Sequence, residues 1–494
     1  MIGVRTLRIN RLLGWQTVGL VLLLASSVAS ATDRYEELRN CELSAAGGRL
    51  TASARCGELE VPENPADASG RMLELAYAVL PRRNRSAESE PLFFLAGGPG
   101  QSARDMLPIM QRALNEVNRN HDLIFLDQRG TGGSNALECT FDDPENWLDM
   151  DLPAISERLR ECRRGWDADV RFYTTGHGAD DIDALRAHYG FEQINLYGGS
   201  YGTRMAQVYL RRHPERVRSV IIDGVVPTRL HLGSEHGLKL DQALNRLFTA
   251  CAENADCNAS FPDLGNAFSS LVERFRDETL DLVVTDPRTG RAIDLPFNRD
   301  VLASSLRFLA YGPQSQSIIP YLVHEAATTG SPDRLASQAL ITQEQMDDMI
   351  AIGLNFAVGC SEDWPGWPRQ LDQSGTLLGD AMLEFYDTVC DWWPAGQVNA
   401  DFHRPFDSDV PMLILSGELD PVTPPEYGDE ANEQFSNSLH LVGTGLGHIV
   451  VTHPCFGRIA SEFIETASPD DLDLECLDAL GAEPFFLDLL GPAP

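Results

Sequence analysis

Short apolar runs that end in glycine recur along this chain. Met72 to Leu80 partly alternates between apolar and polar positions and reads as a strand. Pro91-Leu92-Phe93-Phe94-Leu95 is continuously apolar and runs into Ala96-Gly97-Gly98-Pro99-Gly100. Leu123-Ile124-Phe125-Leu126 runs into Asp127-Gln128-Arg129-Gly130-Thr131-Gly132, and Ile194-Asn195-Leu196-Tyr197 into Gly198. Val220-Ile221-Ile222 ends in Asp223-Gly224, Met412-Leu413-Ile414-Leu415 in Ser416-Gly417-Glu418-Leu419-Asp420, and Leu439-His440-Leu441-Val442 in Gly443-Thr444-Gly445-Leu446-Gly447-His448. Short continuous runs bounded by turn residues suit strands covered on both faces. Helix-like stretches lie between them, among them Asp180 to Tyr189, stopped by Gly190, and Thr203 to Arg212, closed by His213-Pro214. This alternation predicts an α/β fold with a mostly parallel sheet and helices on both faces. Ligands of such sheets bind at the carboxyl ends of the strands, where every one of these glycine-rich turns would fall.

The alternation breaks between about Thr228 and Arg404. Here Leu244, Leu247 and Phe248 share a helical spacing, as do Phe268, Leu271 and Phe275, and both sets read as core. The segment is expected to be a mainly helical cap, residues 228–404, inserted over the active end of the sheet. The core would then be divided into residues 32–227 and 405–494. At 494 residues the chain exceeds one ordinary domain of about 100–200 residues.

Composition narrows the partners. A formal net charge of −34 disfavours nucleic acid and anionic membrane surfaces. Arg5, Arg8 and Arg11, the apolar run Val18 to Ala25 and the small residues Ala29-Ser30-Ala31 read as a secretory signal peptide cleaved after Ala31. No later run is apolar and long enough for a membrane span. Ten cysteines in an exported chain point to disulfides, in the periplasm or outside the cell. Sequence leaves their pairing open; neighbours in sequence are taken as partners, Cys41 with Cys56, Cys139 with Cys162, Cys251 with Cys257, Cys360 with Cys390, and Cys455 with Cys476. Metal binding is the weaker reading, since there is no C-x-x-C and no histidine at zinc-finger spacing.

The chemistry centres on Gly198-Gly199-Ser200-Tyr201-Gly202, a G-x-S-x-G between a strand and a helix. That context lifts a serine hydroxyl off the end of the sheet on a sharp turn, at the positive end of a helix. A serine hydroxyl is a poor nucleophile alone and needs a base. The order Ser, acid, His assigns Asp420 and His448, each after a strand, with Glu418 as the rival acid and His440 and His453 as rival bases. His448 would take and return the proton, and Asp420 would fix its tautomer. The oxyanion hole is assigned to the N–H groups of Tyr201 and Gly98.

Gly97-Gly98-Pro99-Gly100, Asp127-Gln128-Arg129-Gly130-Thr131-Gly132-Gly133-Ser134 and Gly198-Gly199-Ser200-Tyr201-Gly202 together resemble the prolyl and tripeptidyl aminopeptidase family of serine exopeptidases. The resemblance implies an α/β-hydrolase fold that cleaves peptides from a free N-terminus, and the long insertion resembles the tripeptidyl branch. Two positions depart from the family pattern: Ala96 stands where a histidine is usual, and Gly133 where an arginine is usual. A substrate N-terminus is a cation and calls for carboxylates. Glu362 and Asp363, beside Cys360 and Trp364, are the residues assigned to it, as the family similarly places an acid near such a cysteine. Asp127 and Arg129 are read as a structural ion pair with each other. The resulting expectation is a cofactor-free, metal-free serine aminopeptidase acting on short peptides. A carboxylesterase is the alternative, and an inactive binding protein a further one.

Overall fold

A computed structural model describes residues 34–45, 48, 50–139, 152–286 and 289–492, with 342–348 as backbone only. The signal-peptide expectation for residues 1–31 lies outside the described residues. The chain divides into a short N-terminal unit, Met1–Glu37, of which residues 34–37 form a turn, and a body, Leu38–Pro494.

The body is built on a nine-stranded sheet in the order β1-β2-β3-β5-β4-β6-β7-β10-β11. Its strands are β1 (Arg39–Ser44), β2 (Thr51–Pro62), β3 (Met72–Leu80), β4 (Leu92–Leu95), β5 (Leu123–Leu126), β6 (Ile194–Gly199), β7 (Val217–Asp223), β10 (Met412–Gly417) and β11 (Ser438–Gly443). From β5 through β11 every neighbouring pair is parallel, and β1, β2 and β3 add an antiparallel edge. The central strands are buried at every residue, which is why their sequences are unbroken apolar runs. The edge strands β1 and β2 escaped the sequence reading. Several of their inward positions, Ala52, Ala54 and Cys56, are small and give a weak apolar signal.

The topology brings the glycine-rich turns together. The chain passes from β4 to β5 on one side, then returns to place β6 on the other side of β4. This is the reversal point at which α/β sheets open a crevice. The register pairs Leu95 with Gly198, Gly199 with Asp223, Leu415 with Asp223, and Gly417 with Gly443. The turns that follow β4, β6, β7, β10 and β11 therefore emerge side by side at one edge.

Between β7 and β10 the chain leaves the sheet. Residues 224–411 hold the helices His236–Glu253, Leu264–Asp277, Arg299–Leu309, Ile319–Thr329 and Asp333–Met349, and a hairpin of β8 (Leu280–Thr285) and β9 (Ala292–Phe297). Leu244, Leu247, Phe248, Phe268, Leu271 and Phe275 are all buried there, in a core that also takes Phe297 and Leu306. The hairpin was not expected. β8 buries a single residue fully, Val284, too little for a clear strand signal. Five disulfides join the sequence neighbours: Cys41–Cys56, Cys139–Cys162, Cys251–Cys257, Cys360–Cys390 and Cys455–Cys476. Among the described residues no helix is long and apolar enough to cross a membrane.

Candidate active site

Ser200 sits between β6 and the helix Tyr201–Arg212 with φ 55° and ψ −124°, a backbone conformation that a side-chain-bearing residue rarely adopts. The flanking glycines make the turn feasible. A Cβ at Gly202 would run into the carbonyl of Leu95, and one at Gly198 into the carbonyl of Gly202. The Ser200 N–H donates to the Asp223 carbonyl at 2.9 Å, tying the turn to β7.

Asp420 and His448 meet in the turns after β10 and β11. His448 Nδ1 lies 2.7 Å from Asp420 Oδ2, with side chains 8% and 0% exposed. Asp420 also accepts N–H bonds from Val422 at 2.9 Å and Thr423 at 2.8 Å, and the Thr423 hydroxyl at 2.8 Å. Burial alone would push the Asp420 carboxyl up, but these donors and the charge on His448 outweigh it and hold its pKa below the usual range. Burial likewise disfavours a charged His448, yet Asp420 and Asp223 outweigh it, and the ring's pKa is raised. The rival groups are engaged elsewhere: Glu418 accepts the Gly445 N–H, His440 contacts Asp429 and Ser416, and His453 caps the helix Pro454–Thr466.

Gly98 follows β4, in the turn beside Ser200; a Cβ on Gly97 would lie 3.2 Å from the Ser200 Cβ. The loop is held from outside its tip. Gln101 Oε1 accepts the Gly97 N–H at 3.1 Å, the Ala351 N–H donates to the Gly100 carbonyl at 2.9 Å, and the Asn355 amide donates to the Pro99 carbonyl at 3.3 Å. Neither the Gly98 nor the Tyr201 N–H has an acceptor among the described residues. Two unpaired N–H groups beside a serine are what a developing oxyanion requires.

The expected Asp127–Arg129 pair is corrected. Arg129 forms a two-pronged pair with Asp181 at 2.7 Å and also donates to the Glu63 and Phe172 carbonyls. Asp127 instead accepts from Ser102, the Arg104 N–H and the Gly133 N–H, with the Arg104 guanidinium 3.5 Å away. The chain leaves β5 and turns at Arg129-Gly130, so the two residues two positions apart reach different partners. The same geometry accounts for Gly133, since a Cβ there would lie 2.5 Å from Arg104 Nη1 and 2.6 Å from the Ala76 Cβ.

Glu362 and Asp363 are brought together with a cation. A π-helical turn, Gly359–Asp363, directs both carboxylates inward, where they are buried. Arg204 lies 3.0 Å from Asp363 Oδ2 and 3.6 Å from Glu362 Oε2. Glu362 also accepts the Thr175 N–H and hydroxyl at 2.6 and 2.7 Å, and that hydroxyl lies 2.7 Å from the Tyr201 phenol oxygen. Two carboxylates facing one guanidinium leave a surplus acid, and burial pushes the Glu362 pKa up to about 7. Glu362 also lines a cavity of about 730 Å³, whose walls include Thr174, His177 and Phe402 but neither Ser200 nor His448. His231, Asp363 and His403 offer ligand atoms within 4.8 Å of one another. Arg204 already occupies the cationic position against Asp363, and His403 Nε2 faces the Glu362 carbonyl at 2.8 Å, so the set is poorly arranged for a metal.

Three residues escaped sequence reasoning. Asp223 carries no motif, yet its carboxylate accepts the Val450 and Val451 N–H groups at 3.0 and 2.9 Å and the Tyr197 hydroxyl at 2.9 Å. Ile449, beside His448, has φ 68°, an outlier for a β-branched residue. Tyr311, far off in sequence, accepts the His448 N–H on its carbonyl at 2.8 Å. The Asp-Gly step after an apolar run marked a strand end but not this bridge.

Residues 90–264 match a protein family described as alpha/beta hydrolase fold, and residues 376–476 match one described as TAP-like protein. Over 442 residues the chain is 25% identical to the serine protease Hip1 of Mycobacterium tuberculosis, covering 82% of this chain and 83% of that protein. It is 24% identical over 471 residues to a tripeptidyl aminopeptidase of Streptomyces lividans, covering 87% of this chain and 85% of that protein. A proline iminopeptidase of Neisseria gonorrhoeae is 29% identical over 136 residues, 27% of this chain and 32% of that protein.

Proposed function

We propose that this chain, which belongs to the prolyl and tripeptidyl aminopeptidase family of α/β-hydrolases, is an exported serine aminopeptidase that releases short peptides from a free N-terminus. The observation that carries the reading is the buried 2.7 Å contact of His448 Nδ1 with Asp420, in a turn whose Ile449 lies against Gly199, next to the strained Ser200. That contact leaves Nε2 as the basic nitrogen.

In the proposed reaction His448 Nε2 takes the Ser200 Oγ proton as Oγ attacks the scissile carbonyl carbon. The Gly98 and Tyr201 N–H groups receive the oxyanion. The C–N bond breaks, His448 returns the proton to the leaving amine, and an ester to Ser200 forms. Water then attacks the ester with the roles of His448 repeated, releasing the acyl peptide as a carboxylic acid. The surplus acid of the Glu362, Asp363 and Arg204 cluster supports capture of an N-terminal ammonium, and its link through Thr175 to Tyr201 puts it next to the nucleophile's neighbour. Residues 228–404 would act as the cap that limits access. The five disulfides support an oxidising compartment, periplasmic or extracellular.

A carboxylesterase is the second reading. It draws on Arg204, which cancels one of the two acidic charges. Matched fluorogenic peptides of one to three residues, with free or acetylated N-termini, separate the two. Cleavage confined to free N-termini and lost in Ser200→Ala supports the aminopeptidase and gives its step length. Equal cleavage of blocked peptides, or of simple esters alone, overturns it.

A further inference from the structure

Arg307 is a half-buried arginine of this acidic chain. Acidic residues outnumber basic ones 73 to 39; the buried Arg129 and Arg204 meet Asp181 and Asp363, and the half-buried Arg211 and Arg299 donate to backbone carbonyls. Arg307 meets no carboxylate among the described residues. Its Nη2 faces His236 Nδ1 at 3.3 Å, and its Nε is buried without an acceptor. His236 cannot cancel the charge, because burial, with Arg307 and His448 adding to it, pushes its pKa down to about 3 and keeps it neutral.

The position of Arg307 ties it to the reacting groups. It lies on the helix Arg299–Leu309, one turn before Tyr311. The Tyr311 carbonyl accepts the His448 N–H at 2.8 Å, and the two rings meet edge to face at 5.1 Å. Arg307 acts electrostatically on His448 and on Tyr386, and Tyr386 also feels Asp363. The Tyr386 hydroxyl donates to Asn355, whose amide holds the Pro99 carbonyl of the loop carrying Gly98. Tyr386 thus lies between the Glu362, Asp363 and Arg204 cluster and Arg307, which meets no carboxylate among the described residues, with the Gly98 loop attached to it. With Nε buried and Nη2 turned to His236, the Nη1 N–H groups are the ones left to meet a carboxylate.

We propose that Arg307 is a specificity-determining residue that receives a carboxylate of the substrate on the His448 side of the site. The substrate class is then short zwitterionic peptides, their ammonium toward Glu362 and their carboxylate toward Arg307. This deepens the aminopeptidase reading and rests on it. The carboxylate is either the peptide's C-terminus or an acidic side chain.

The test compares the full-length enzyme with Arg307→Gln and Arg307→Lys on free-N-terminal peptides of two to five residues, each as C-terminal carboxylate and carboxamide. A second carboxamide pair carries Glu or Gln at one internal position. The wild type is expected to show a KM about tenfold lower for the carboxylate of a pair. Arg307→Gln brings that ratio toward one, and Arg307→Lys keeps part of it. A preference in the first pairs assigns the C-terminus; one confined to the Glu and Gln pair assigns a side chain. A ratio near one in the wild type, an unchanged ratio in Arg307→Gln, or equal loss on both members of a pair overturns the proposal. If no free-N-terminal peptide is cleaved, the aminopeptidase reading fails. Hydrolysis of a succinate monoester against its amide counterpart then tests Arg307 separately, with the same ratios decisive.

Discussion

The carbonyl of Asp223 accepts the Ser200 N–H at 2.9 Å, while the carboxylate of the same residue holds the Val450 and Val451 N–H groups behind His448. One residue thus fixes the nucleophile turn through its backbone and the histidine turn through its side chain. Asp223→Ala would leave two N–H groups and the Tyr197 hydroxyl unpaired in a buried site, each costing about 1–3 kcal/mol. The expected result is a lower melting temperature and a kcat/KM down about a hundredfold, since small misplacement of the histidine is enough for that. Asp223→Asn, which keeps one acceptor oxygen, should lose less of both. Wild-type kinetics in Asp223→Ala would show that the bridge does not position the site.

The pairing of His448 with Asp420 predicts a pH signature. Activity needs neutral His448, and the Asp420 carboxylate raises its pKa, so kcat/KM should rise with pH along a limb above the ordinary imidazole value. Asp420→Asn should move that limb to lower pH and reduce kcat by about 10⁴-fold. The linkage to stability has a definite sign. The raised pKa of His448 stabilises the fold below its unfolded value and is lost as pH rises through the folded one. The lowered pKa of Asp420 stabilises the fold above its unfolded value and is lost as pH falls. Their attraction is therefore fully expressed from roughly pH 4 to 6.5. Thermal unfolding of wild type and Asp420→Asn across pH should show the largest gap in that window.

Glu362 predicts a trend opposite to that of Asp420. Its pKa is raised to about 7 by burial, so the folded chain holds a proton that the unfolded chain has released, and stability falls as pH rises toward that value. Glu362→Gln should melt progressively higher relative to wild type between about pH 5 and pH 8. Its kcat/KM should fall more on free-N-terminal peptides than on a small neutral ester. A uniform loss on both substrates would argue that Glu362 only supports Tyr201 through Thr175.

Much of this architecture is legible in the sequence because burial on both faces leaves unbroken apolar runs. β3, β4 and β5 begin and end within a residue of where their runs do, and the turns after β4, β6, β10 and β11 carry Gly98, Ser200, Asp420 and His448. Partner choice is not legible. Asp127 and Arg129 sit two residues apart and look like a pair, yet Asp181 on the helix Thr175–His188 and Arg104 claim them separately. The acids Glu362 and Asp363 were visible, but the cation between them comes from Arg204, on the helix that follows Ser200. Asp223, Tyr311 and Arg307 act through contacts made across long sequence separations, which no local pattern records.

The disulfide Cys360–Cys390 offers a separate handle on the acidic cluster. It ties the turn Gly359–Asp363 to the helix Ala381–Cys390, where Tyr386 packs so closely that a Cβ on Gly359 would enter its ring. Closing a loop of this length stabilises a fold by about 3–4 kcal/mol in the chain-entropy account. The double variant Cys360→Ala/Cys390→Ala should lose about that much in denaturant unfolding. The disulfide pins the carboxylates but does not touch Ser200, Asp420 or His448, which other strands carry. Its removal should therefore raise KM for free-N-terminal peptides while hydrolysis of a small neutral ester falls less. If ester and peptide activities fall together, the turn shapes the whole site, and the assignment of Glu362 and Asp363 to the substrate ammonium loses its support.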